Sequence, residues 1–156
     1  MNPMFEPLDN KKYRNIYEPQ GKGICGIATL AVILKCSIAH ILKKWGDYEG
    51  YVLNGKLRTF LENEGYEVKM LRGNKRKDFP IENKLHLCRV QWIGQGGGRF
   101  HGYSNWHDAS CHTHLIVIDK DMVYCNDEGW FEISRLPEYL KKGYITSYLE
   151  ICERVK

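Results

Sequence analysis

Gln20-Gly-Lys-Gly-Ile-Cys25-Gly-Ile-Ala-Thr-Leu-Ala-Val-Ile-Leu34 is the stretch that decides the fold. From Ile24 to Leu34 the apolar side chains run almost all the way round a helical wheel, which is the pattern of a helix buried on every side. Its start carries glycines instead of Ser or Asp caps. Cys25 therefore stands in the first turn of a buried helix, just behind a glycine loop. A thiol there meets the positive end of the helix dipole and unpaired backbone N–H groups, and both favour the thiolate. The glycines leave room for a substrate backbone to approach the sulfur. Five residues upstream, the Gln20 side-chain amide is a donor of the type that stabilises the oxyanion of acyl transfer.

Outward from this helix the elements are short. Ile38 to Trp45 reads as an amphipathic helix with Ser37 as N-cap, and Leu57, Phe60 and Leu61 mark a third helix stopped at Gly65. Tyr66 to Leu71 reads as a strand, and residues 72–78, Arg-Gly-Asn-Lys-Arg-Lys-Asp, as a basic turn. Leu85 to Ile93 alternates as a strand, with Leu85, Leu87, Arg89, Gln91 and Ile93 on one face. Gly94 to Ser110 is a long glycine-rich loop, of a length that is more often functional than idle. Residues 112–119 give the strongest strand, Lys120-Asp121 the turn, and Met122 to Asn126 its partner. Trp130 to Ile133 is a short strand, Leu136 to Lys142 a helix closed by Gly143, and Tyr144 to Cys152 a last strand. Helices first and antiparallel strands after make an α+β domain. Residues 1–20, polar and carrying Pro3, Pro7 and Pro19, read as an arm before a single domain at 21–156.

Composition narrows the function. The 156 residues are 43% hydrophobic and 27% charged, with a formal net charge of +4. That is ordinary globular composition and excludes disorder or coiled coil as the main story. The charge excess is too small for a dedicated nucleic-acid binder, and the Arg72 to Lys77 cluster lacks interleaved aromatics. The Ile24–Leu34 run is about half of the ~20 residues a spanning helix needs, and Met1 to Gln20 has no apolar signal core. The six cysteines, Cys25, Cys36, Cys88, Cys111, Cys125 and Cys152, form no C-x-x-C pair. They read as thiols of a reducing, cytoplasmic compartment.

A thiolate nucleophile needs a proton partner and the partner needs an orienting acceptor. His114 opens the apolar Leu-Ile-Val-Ile strand, where an imidazole can be held beside the helix; His112 shares its face as the alternate. One hairpin on, the partner strand ends at Asn126-Asp127. This order, Cys then His then acid or amide, resembles the papain-like cysteine peptidases, most closely the bacteriocin-processing, C39-type branch. The motifs that carry the resemblance are Gln20, Cys25-Gly-Ile-Ala-Thr-Leu-Ala-Val-Ile33, His114-Leu-Ile-Val-Ile118 and Val123-Tyr-Cys-Asn-Asp127-Glu-Gly129. The prolines often found after Cys-Gly and after the acid are Ile27 and Glu128 here.

The resemblance implies a papain-like domain in which a buried N-terminal helix packs on a mostly antiparallel sheet. It implies a peptidase or isopeptidase acting on a peptide or protein substrate without a cofactor. Cys25 would be the nucleophile, His114 the base, Asp127 (or Asn126) the orienting group, and Gln20 with the Cys25 N–H the oxyanion donors. The same constellation runs transglutaminase-like acyl transfer, and a binding module could keep the fold without the reaction. A competing reading is zinc, held by His101, His107, Cys111, His112 and His114, although their spacing fits no standard finger. The expectation is that no metal is bound.

Overall fold

The computed structural model describes residues 25–48, 52–76, 84–92, 113–126 and 128–153. Three helices come first: α1 (Cys25–Leu34), α2 (Ile38–Trp45) and α3 (Asn54–Asn63). Strands β1 (Tyr66–Arg76), β2 (Leu85–Gln91), β3 (His114–Asp119), β4 (Met122–Cys125) and β5 (Gly129–Glu132) follow. A 3-10 turn at Ile133–Arg135, a short helix α4 (Glu138–Lys141) and strand β6 (Tyr144–Glu153) close the order. The strands make one six-stranded sheet, β1-β6-β2-β3-β4-β5, with every pairing antiparallel. This is the α+β arrangement that the sequence order predicts.

Helix α1 is buried from Gly26 to Ile33, as its all-round apolar wheel requires. It packs on the sheet through a core that includes Leu30, Ile33, Leu87, Leu115, Val117 and Leu149. A Cβ on Gly26 would lie 3.1 Å from Val52 Cγ2 and 3.2 Å from Leu115 Cδ1. The glycine after Cys25 thus lets the first turn of the helix settle against β3, which brings the sulfur to that strand. Lys35, in the left-handed region (φ 57°), ends the helix, and the chain bends by 109° into α2. Ser37 caps α2, its Oγ accepting from the His40 N–H at 3.1 Å. Gly65, at φ +97°, takes the left-handed conformation that a helix stop asks of glycine. Among the described residues no single helix is long and apolar enough to cross a membrane.

The other face of the sheet carries a second, smaller core. Cys88, Val90, Trp92, Ile116, Ile118, Val123 and Cys125 lie in it beneath Leu140 of α4 and Ile145 of β6. Central strand β2, between β6 and β3, is therefore buried on both faces, Leu87 under the helices and Val90 under α4. Its alternation reads correctly as two faces, but neither is wet.

Four expectations are corrected. Residues 72–76 are not a turn: they extend β1, with Arg72 opposite Ser147 and Arg76 opposite Ile145 across a register irregularity. Long β6 offers them ladder partners, and a charged sequence suits the edge strand that β1 is; residues 77–83 lie outside the described part. Strand β4 ends at Cys125, with Asn126 already in the turn. The helix expected over Leu136–Lys142 shrinks to Glu138–Lys141, because Pro137, in extended conformation, precedes it. Gly143 is not in the left-handed region; it is there for space, since a Cβ would collide with Val90 Cγ1 and press on Trp92 Nε1. The expected boundary between an arm at 1–20 and the domain falls in residues 1–24, outside the described part, as does the loop at 94–110.

Candidate active site

The N-terminus of α1 meets the start of β3, Gly26 against Leu115, and there the His114 ring and its charge act on the Cys25 thiol. His114 is fully buried, whereas Cys25 is half-buried and so reachable. Burial pushes the Cys25 thiol up. The hydrogen bond from His114, its positive charge, the Leu115 backbone N–H and the charge of Arg89 all pull it down, and together they outweigh burial. The thiol is held below its ordinary value, which is the condition for a nucleophilic sulfur at neutral pH.

Arg89 stands directly opposite Leu115 in the β2–β3 ladder. Its guanidinium is buried and fixed on three sides. Nε donates to Asn54 Oδ1 at 3.0 Å, and the other nitrogens donate to Thr113 Oγ1 and the Val52 carbonyl. Asn54 in turn donates to Ser147 Oγ at 2.7 Å. A planar, always-charged group with several donors suits such a socket. Tyr48, half-buried after α2, feels the same sulfur: burial and the Cys25 charge push its hydroxyl far above the usual phenol range. It therefore stays an O–H donor.

The far side of the His114 ring faces a different set of groups. Nε2 lies 3.0 Å from Cys125 Sγ, and that sulfur lies 3.1 Å from the Tyr139 hydroxyl. The Tyr139 carbonyl accepts from Trp92 Nε1 at 2.6 Å, and the Trp92 ring is tilted against His114 at 6.5 Å between centroids.

No protein-family model and no curated protein sequence matches the chain. Among solved structures it is similar to a double glycine motif protease from an AMS/PCAT transporter, crystallised in complex with the leader peptide. The TM-score is 0.50 at 14% identity, over 90% of this chain and 94% of that one. The fold is papain-like.

Within that papain-like fold the structure brings two of the expected site residues together, Cys25 and His114. Asn126 is fully buried at the turn after β4. Gln20, His112 and Asp127 lie outside the described residues, as do His101, His107 and Cys111 of the alternative zinc cluster. Among the described residues no group of three or more His, Cys, Asp or Glu side chains could hold a metal ion. Cys88 is buried in its strand, whereas Cys152, whose sequence context reads as core, is exposed near the end of edge-paired β6.

Several residues of the site were not anticipated. Cys125 reads as an ordinary strand thiol, yet it faces the imidazole. The signal was available in the Lys120-Asp121 turn, which sets Ile116 opposite Cys125 and so puts residue 125 on the face of residue 114. Arg89 also left a trace, as the one cation on a strand face otherwise carrying Leu85, Leu87, Gln91 and Ile93. Nothing local in the sequence marks Tyr48 or Tyr139.

Proposed function

We propose that the protein is a cysteine peptidase or isopeptidase acting on a peptide or protein substrate. The observation that carries the reading is the packing of the start of buried α1 on the start of β3, Gly26 against Leu115, which brings Cys25 to His114, with the thiol held below its ordinary value. The Cys25 thiolate attacks the scissile carbonyl, and the His114 imidazolium then gives its proton to the departing amine. Water, deprotonated by His114, attacks the resulting thioester and frees Cys25. Gln20 and the Cys25 backbone N–H are the proposed oxyanion donors, as the resemblance implies. The resemblance gives Asp127, or Asn126, as the group that orients the ring. The leader peptide bound by the similar protease supports a peptide as the substrate class here.

The test is a peptide-like electrophile, such as a peptidyl vinyl sulfone, with the modified residue located by mass spectrometry. The expected result is a single adduct at Cys25 that His114→Ala abolishes. No adduct at Cys25 in folded protein would leave a binding module as the better account.

A further inference from the structure

We propose that Cys125 and Tyr139 form the pair that positions the His114 imidazole, a thiol and a phenol doing the work that an amide or a carboxylate does in other papain-like sites. The inference rests on the Cys25–His114 reading above and adds the second half of the site. His114 has two ring nitrogens and its Nε2 is directed at Cys125 Sγ, 3.0 Å away. Cys125 Sγ lies 3.1 Å from Tyr139 Oη. With His114 as the imidazolium, Nε2–H donates to the sulfur, and the S–H donates to the phenol oxygen. In that direction neither Cys125 nor Tyr139 needs to carry a charge.

The pair is built, not incidental. The β3–β4 register places Ile116 opposite Cys125, so the thiol is the diagonal neighbour of His114 on one sheet face. Cys125 and His114 are fully buried and Tyr139 is half-buried. Tyr139 is fixed by its own carbonyl, which holds Trp92 Nε1 at 2.6 Å. Gly143, which leaves no Cβ against Val90 and Trp92, lets the end of α4 close onto β2 and so delivers Tyr139 to the sulfur. Among the described residues the titratable groups facing the ring are Cys25 from α1, Cys125 from β4 and Tyr139 from α4. Arg89 of β2 acts on the Cys25 thiol instead, and the Cys25 charge acts on Tyr48.

A thiol is a weak, uncharged acceptor. It fixes the ring while stabilising the imidazolium less than a carboxylate would, so its loss has a measurable but bounded effect. The experiment is the pH dependence of iodoacetamide alkylation in the full chain, with Cys25 followed by mass spectrometry and folding checked by circular dichroism. In Cys125→Ala the alkylation midpoint of Cys25 moves to higher pH, and the neutral-pH rate falls about five- to tenfold, the worth of one ordinary hydrogen bond. Cys125→Ser, which keeps a donor and acceptor, returns most of the rate. Tyr139→Phe moves the midpoint the same way by less, and keeps the test alive should Cys125→Ala not fold. A midpoint unchanged in these variants but shifted in His114→Ala overturns the positioning pair and leaves the Cys25–His114 reading standing. A larger shift in Asp127→Asn than in Cys125→Ala overturns the pair in favour of the acid. A midpoint that His114→Ala does not move takes down both.

Discussion

Two histidines are buried on the same face of the same sheet, about 13 Å apart at four strand steps, and only one of them is placed for chemistry. His86 and His114 share a face because His86 pairs with Ile118 and Val90 with His114. His86 is 1% exposed and His114 0%. At the His86 end the imidazole sits 3.7 Å from the Glu150 carboxylate, which Lys84 also holds at 3.2 Å, and the Tyr148 ring meets it edge-on. At the His114 end the neighbours are two thiols, a phenol and the start of a buried helix. The lesson is that burial does not make a base. One histidine faces an ion pair and serves packing; the other faces a nucleophile because the strand carrying it begins where α1 begins.

The largest effect that could break this contrast comes from exchanging the histidines in turn. His114→Ala should lower turnover of a cleavable peptide by about 10³-fold or more, since both the proton acceptor and the later acid are lost. His86→Ala should leave the rate within about twofold in the fraction that folds. Comparable losses in the two folded variants would mean that the contrast is false. The pH behaviour sharpens it. The Cys25 thiol is held below its ordinary value, so alkylation should persist below the pH at which a free thiol loses reactivity. In His114→Ala the burial remains while the hydrogen bond and charge are gone, so the midpoint should rise, towards or above that of a free thiol. His86→Ala should leave it in place.

Stability tests follow in decreasing size. Arg89→Met removes donors from Asn54, Thr113 and the Val52 carbonyl at the His114 end. A cost of about 3 kcal/mol is expected in urea unfolding, the scale for breaking a buried charged network. Gly143→Ala forces a methyl against Val90 and should cost about 1–3 kcal/mol as overpacking. Lys84→Met, at the His86 end, breaks a pair whose lysine is 47% exposed, and a loss under about 1 kcal/mol is expected. A Lys84 effect as large as that of Arg89 would mean that the His86 end, too, is organised by a buried charge.

The order Cys25 then His114, the buried helix, the Ser37 cap, the Gly65 stop and the hairpin around Lys120-Asp121 were legible in the sequence, because periodicity and capping are written in residues three or four apart. The same local rules failed at Arg72–Arg76, where nothing nearby announces that β6 is waiting as a partner. They failed again at Gly143, whose role is space beneath Val90 and not backbone freedom.

What the sequence alone determined is thus an α+β chain with a thiol at a helix start and a histidine at the head of its strongest strand. Tertiary structure decided which groups meet them. His114 finds Cys125 across 11 residues, Cys125 finds Tyr139 across 14, and Trp92 finds the Tyr139 carbonyl across 47. Helical and strand periods reach only a few positions along the chain, so contacts at these separations come from sheet order and from how closely α1 and α4 pack on its two faces. A sulfur inside a strand reads as core until the fold sets an imidazole beside it.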